Sequence, residues 1–112
     1  MITTHVLDTA RGRPAANVAV VLERDAGHGE WQTIGRGETD ADGRIRNFVS
    51  ADASLSAGTY RLVFDTRRYF ERQGAASFYP QVMIVFETAP GETHYHVPLL
   101  LGPFGYTTYR GS

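Results

Sequence analysis

Four histidines are the side chains of this sequence best suited to acid–base chemistry, because imidazole has an ordinary pKa of about 6.5. They are His5, His28, His94 and His96. His94 and His96 lie two positions apart in a run typical of a β-strand, so we expect both side chains on one face. His28 lies between two glycines, which predicts an exposed loop tip without a chemical role. The sequence therefore points to a histidine site built on a strand.

Two kinds of chemistry fit the pair His94 and His96. A neutral imidazole can act as a general base. Two histidines on one strand can also hold a metal such as zinc when a third ligand comes from elsewhere, and His5 is available for that role. The spacing alone does not separate an acid–base site from a three-histidine metal site, and a histidine in a strand is often purely structural.

Arg44 is the candidate partner of these histidines, because it directly follows a turn signal formed by Asp40-Ala41-Asp42-Gly43. A forked guanidinium at such a position can recognise a planar, carbonyl-rich or anionic ligand. The alternative is a solvated surface arginine. All 11 basic residues are arginine and the chain has no cysteine. This excludes lysine-based chemistry, disulfides, cysteine zinc sites and cysteine nucleophiles.

Charge and length limit the partners and the organisation of the chain. The formal net charge is −1 over 112 residues, which argues against nucleic acid or an anionic membrane as a partner. No apolar run approaches the roughly 20 residues of a membrane span. The first residues lack the pattern of a secretory signal, so we expect a cytoplasmic protein. The length predicts a single domain over 1–112.

Short apolar runs separated by turn residues predict an all-β sandwich of seven or eight strands. The expected strands span 3–7, 18–23, 31–35, 60–65, 81–87, 95–101 and 106–109. One short helix is predicted over 67–73, ended by Gly74. Pro90-Gly91 fits the central positions of a type II turn, which predicts a hairpin between the strands over 81–87 and 95–101.

Some predicted strands are apolar on both faces. Val82, Ile84 and Phe86 would fill one face of a strand, yet Met83 and Val85 occupy the other. A second apolar face predicts a second buried surface, such as an interface between subunits. The alternative is an outer sheet face that the helix covers.

Five segments carry a resemblance to a known family: HVLD at 5–8, TDADGR at 39–44, SFYP at 77–80, HYHVPLLL at 94–101 and YTTYRGS at 106–112. They resemble the transthyretin-related family and, within it, the 5-hydroxyisourate hydrolases of purine breakdown. The final Tyr-Arg-Gly-Ser is the most specific segment, since it separates the hydrolases from the hormone-carrying transthyretins that share the fold.

The resemblance implies a transthyretin-like (prealbumin-like) β-sandwich of two four-stranded sheets with one short helix. It implies a homotetramer with active sites between subunits. It also implies hydrolysis of 5-hydroxyisourate to 2-oxo-4-hydroxy-4-carboxy-5-ureidoimidazoline, without cofactor or metal. The family's catalytic residues correspond to His5, Arg44 and His96, and these three, with Tyr109 and Ser112, are the implied substrate contacts.

Three other functions remain open from the residues themselves. The chain could carry a small aromatic ligand, although a carrier needs no general base. It could be a metal-dependent hydrolase that uses His5, His94 and His96. It could also be a structural sandwich in which the histidines have no role.

Overall fold

The computed structural model describes residues 1–48 and 55–112. Within these residues the chain forms nine strands and one short helix. In chain order they are β1 Ile2–Asp8, β2 Arg13–Pro14, β3 Ala19–Gly27, β4 Glu30–Glu38, β5 Arg44–Ile45, β6 Gly58–Phe64, α1 Thr66–Glu71, β7 Val82–Thr88, β8 Tyr95–Leu101 and β9 Tyr106–Thr108.

The strands form two sheets with the core between them. One sheet has the order β4-β3-β6-β7 and is antiparallel throughout. The other has the order β2-β1-β8-β9, and its central strands β1 and β8 are parallel. The short strand β5 also pairs with β1, so this sheet has five strands rather than four. The predicted all-β sandwich with one short helix is confirmed.

Alternation along each strand separates the core from the outer faces. Leu22, Leu62 and Leu99 are fully buried between the sheets, and burial of each such side chain contributes about 1.5–3 kcal/mol. Along β1 every second residue from Ile2 to Asp8 is buried, and the residues between them are only partly buried. The outward positions of β1 and β8 therefore form one continuous outer face, which carries the predicted site.

The helix is confirmed and lies slightly earlier than the predicted 67–73. Asp65 caps its first turn, with a carboxylate oxygen that accepts the N–H of Arg68 at 3.3 Å. The Tyr69 hydroxyl donates to the buried carboxylate of Asp8 at 2.7 Å, which ties α1 to β1. Burial, reinforced by that carboxylate, raises the pKa of Tyr69 to about 12. No helix of the described residues is long and apolar enough to cross a membrane.

The predicted hairpin between 81–87 and 95–101 is wrong. The turn itself is present, because Glu92 donates its N–H to the carbonyl of Ala89 at 3.3 Å and Gly91 has a φ of +86°. However, β7 pairs with β6 in one sheet, whereas β8 pairs with β1 and β9 in the other. The connection crosses between the sheets, because the partner that stabilises β8 is a parallel strand far away in sequence.

Candidate active site

His5 and Arg44 are brought together by the short strand β5. His5 is paired with Arg44, and Thr4 is paired with Ile45. Thr4 and Ile45 are buried in the core. Because side chains alternate along a strand, His5 and Arg44 emerge together on the outer face.

A tight turn holds Arg44 at the start of β5. The Asp40 carboxylate accepts the backbone N–H groups of Asp42 at 2.9 Å and Arg44 at 3.0 Å. The Arg44 N–H makes the largest contribution to lowering the pKa of Asp40. Gly43 completes the turn with a φ of +76°, and a Cβ there would lie 2.3 Å from the Val6 carbonyl oxygen. Only glycine fits this position, since both the conformation and the space exclude a side chain.

His96 reaches the same outer face from β8. The parallel register pairs it with Thr3 and pairs His5 with Pro98, two positions further along. The Thr3 hydroxyl is hydrogen-bonded to Nδ1 of His96 at 2.8 Å. The N–H of Gly111 donates to the His96 carbonyl at 2.8 Å and holds the C-terminal segment beside the imidazole ring.

The environment of His96 favours the neutral imidazole. Burial is the largest cause of a lowered pKa, followed by the positive charge of Arg44 and then by His5 and His94. The lowered pKa keeps His96 unprotonated at neutral pH, which is the state that a general base requires.

These residues border a polar cleft of about 290 Å³. It is lined by Met1, Thr3, Thr4, Arg44, Ile45, Arg46, His94, His96 and Ser112. The cleft approaches the lower size limit of ordinary small-molecule sites, about 300 Å³. Of the predicted site residues, Arg44, His96 and Ser112 line the cleft directly, and His5 lies beside Arg44. Thr3 and Arg46 also line the cleft. No sequence pattern indicated Thr3, which reaches the cleft through its pairing with His96.

Tyr109 lies apart from this cleft within one chain. It borders a separate cavity of about 150 Å³ that includes Phe86, Tyr95 and Arg110. Its side chain is 56% exposed. A contact between Tyr109 and substrate therefore stays a prediction.

The predicted loop tip at His28 is confirmed, because this residue is exposed and has a φ of +55° in the turn between β3 and β4. Over 1–48 and 55–112, no three histidine and acidic side chains are grouped as a metal centre needs. The interpretation of His5, His94 and His96 as a zinc site therefore has no geometric support.

Fold and cleft together define a transthyretin-like sandwich with a histidine–arginine cleft on the outer face of one sheet. The model of the HIUase/Transthyretin family matches residues 2–111, and the chain belongs to this family. It is 45% identical to a 5-hydroxyisourate hydrolase of Mus musculus, over 99% of this chain and 94% of that protein. The resemblance described above is thereby confirmed.

Solved structures similar to this chain include both branches of the family. The 5-hydroxyisourate hydrolase of Klebsiella pneumoniae has a TM-score of 0.86 and 38% identity, with 99% of this chain and 98% of that chain covered. Sea bream transthyretin in complex with thyroxine has a TM-score of 0.91 and 37% identity, with 98% and 93% covered. Since both backbones fit closely, the fold alone does not separate the hydrolases from the carriers, and the residues of the cleft have to do so.

Proposed function

We propose that this chain hydrolyses 5-hydroxyisourate to 2-oxo-4-hydroxy-4-carboxy-5-ureidoimidazoline, and that no metal or organic cofactor takes part. One observation carries the proposal: strands β1, β5 and β8 place His5, Arg44 and His96 on a single outer face. A carrier needs neither a base nor an oxyanion partner. The hydrolases among the relatives support the same conclusion.

His96 is the proposed general base. Its Nδ1 is engaged by Thr3, which leaves Nε2 to take a proton from an attacking water. Its lowered pKa keeps it neutral at pH 7. General base catalysis of this kind is worth about 10²–10⁴-fold in rate. His5, on the same face, helps to orient the water.

Arg44 is the proposed partner of the oxygen that becomes negative. Water adds to an amide-like carbonyl of the ring, and the carbonyl oxygen takes the charge until the C–N bond breaks. The proton held by His96 then passes to the leaving nitrogen as the C–N bond breaks, so the imidazole returns to its neutral state and the carbonyl carbon becomes that of the new carboxyl group. A preorganised hydrogen-bond donor aimed at such an oxygen is typically worth about 2.7–4 kcal/mol of barrier, and the guanidinium of Arg44 supplies such donors.

We also propose that the chain acts as a homotetramer with active sites between subunits. Strands β7 and β9 are edge strands, and each pairs with one other strand in the described structure. Met83 and Val85, on the outward face of β7, are 39% and 58% exposed, and Tyr106 of β9 is 41% exposed. Exposed apolar edge strands favour pairing with another copy. Sedimentation should give four times 12.4 kDa, and a stable, active monomer would contradict the assembly.

The decisive experiment for the reaction is optical. Freshly made 5-hydroxyisourate decays on its own, and the ultraviolet signal of that decay is recorded with and without purified protein. The proposal predicts faster decay in proportion to protein concentration. Decay at the spontaneous rate would remove the hydrolase proposal.

The second candidate function is carriage of a small aromatic ligand, favoured by the match to sea bream transthyretin. Thyroxine is the probe, because that structure contains it. Calorimetric binding of thyroxine, together with unaccelerated 5-hydroxyisourate decay, would favour the carrier.

A further inference from the structure

We infer that Thr3 is a positioning residue that fixes the tautomer of His96. In the inferred state the Nδ1–H of the imidazole is donated to the Thr3 hydroxyl oxygen, and Nε2 carries a lone pair toward the cleft. The catalytic consequence rests on the proposed function. The tautomer itself can be measured without any substrate.

The ring of His96 is held from two sides. Thr3 stands directly opposite His96 in the parallel register, and its Oγ1 lies 2.8 Å from Nδ1. Gly111 lies against the Cδ2 side, so closely that a Cβ there would be 2.6 Å from Cδ2. No residue of the described structure is hydrogen-bonded to Nε2. Thr3 and Gly111 therefore leave Nε2 as the ring nitrogen available for chemistry.

The hydroxyl of threonine can donate or accept, so the distance alone does not assign the proton. The positive charge of Arg44 indicates which ring nitrogen of His96 carries the proton. Arg44 lines the same cleft as His96, and after burial its positive charge is the next cause of the lowered pKa of His96. A permanent cation there favours a nitrogen lone pair facing the cleft over an N–H dipole facing it. The proton consequently resides on Nδ1, with Thr3 as its acceptor.

This arrangement matters because only one tautomer is a base at Nε2. When Thr3 cannot accept, an Nδ1–H beside it is left without a partner, and the cost of that unpaired N–H offsets the preference that the charge of Arg44 imposes. A single neutral hydrogen bond shifts such an equilibrium by roughly 2- to 12-fold. We therefore expect loss of the Thr3 hydroxyl to lower kcat by about that factor while KM changes little, since Thr3 sets the state of the base rather than the affinity for substrate.

The test uses Thr3→Val, which replaces the hydroxyl by a methyl group, and Thr3→Ser, which restores a hydroxyl. Thr33→Val is the matched control, because Thr33 is an exposed residue of β4 in the other sheet. The readout is the ¹⁵N NMR spectrum of the His96 imidazole in the full-length protein, assigned by its disappearance in His96→Asn. The same proteins are then assayed for 5-hydroxyisourate decay.

We expect the unmodified protein, Thr3→Ser and Thr33→Val to show a protonated Nδ1 and an unprotonated Nε2. Thr3→Val should show a proton on Nε2 in a substantial fraction of molecules. A proton on Nε2 in the unmodified protein would overturn the inference even if Thr3→Val failed to fold, and so would an unchanged spectrum in a folded Thr3→Val. The expected tautomer without turnover would instead refute the proposed function and leave the role of Thr3 standing.

Discussion

Substitution of Gly111 by alanine should disable the site by displacing the ring of His96. Gly111 has no positive φ in this structure, so alanine imposes no backbone strain there. The only obstacle is space. The added Cβ would lie 2.6 Å from Cδ2 of His96 and 3.2 Å from Cγ of Pro98.

The size of the displacement follows from these distances. Carbon atoms in contact are usually at least about 3.5 Å apart, so the methyl group and the ring must separate by roughly 0.9 Å. Pro98 limits movement on its side, since it is buried and also lies close to the new methyl group. A misplacement of about 1 Å at a catalytic group can cost about 10²-fold in rate. This corresponds to a barrier increase of about 2.7 kcal/mol.

The assay compares Gly111→Ala with Gly105→Ala. Gly105 also lies near the C-terminal strand, but a Cβ there meets nothing within 4 Å and its φ is not positive. We expect kcat/KM for 5-hydroxyisourate to fall by about 10²-fold in Gly111→Ala and to stay within twofold in Gly105→Ala. The His96 imidazole signals should shift only in Gly111→Ala. An active Gly111→Ala with unshifted signals would show that the C-terminal segment yields instead of the ring, and the argument would be wrong.

Three further predictions concern the charge and identity of the site. Because the pKa of His96 is lowered from its ordinary 6.5, kcat/KM should fall on acidification with a midpoint below 6.5; Arg44→Gln should move that midpoint upward in a pH–rate profile. His5→Asn should lower kcat by up to about 10²-fold in the decay assay, because a mispositioned water slows the reaction, and Arg44→Lys should also be strongly impaired because it keeps the charge but loses the fork. Exhaustive chelation should leave the rate unchanged, whereas a loss that added zinc restores would favour the metal-dependent alternative.

The same lowered pKa has a consequence for stability. The unfolded chain binds a proton at His96 more readily than the folded chain does. The contribution of His96 to the free energy of unfolding therefore increases as pH rises from the pKa of His96 in the folded chain to 6.5. Below that interval His96 is charged in both states. Burial of the charged imidazole beside Arg44 then opposes folding.

Local sequence patterns were sufficient for much of the fold. Strand β8 was predicted over its full length, because Val97, Leu99 and Leu101 alternate with outward residues and all three are buried. The helix was recognised from the loss of that alternation. The common face of His5 and Arg44, by contrast, depends on β5, which has only two residues and no pattern of its own.

Contacts between distant segments could not be predicted. The bond from Thr3 to His96 depends on the parallel register of β1 and β8 across 93 residues. The signal at Pro90-Gly91 predicted a reversal of the chain, but a turn does not determine which sheet receives the next strand. The packing of Gly111 against His96 could not be predicted for the same reason, because it depends on an isolated bridge between β8 and the C-terminal segment.

Two matched histidine substitutions test whether the histidine–arginine cleft of this chain performs the hydrolysis. His96→Asn removes the proposed base, whereas His28→Asn changes an exposed histidine whose φ of +55° asparagine tolerates. In one decay assay at pH 7, we expect His28→Asn to keep the unmodified rate and His96→Asn to lose about 10²- to 10⁴-fold. Equal rates for the two variants, or unmodified protein no faster than spontaneous decay, would contradict a catalytic role of the cleft.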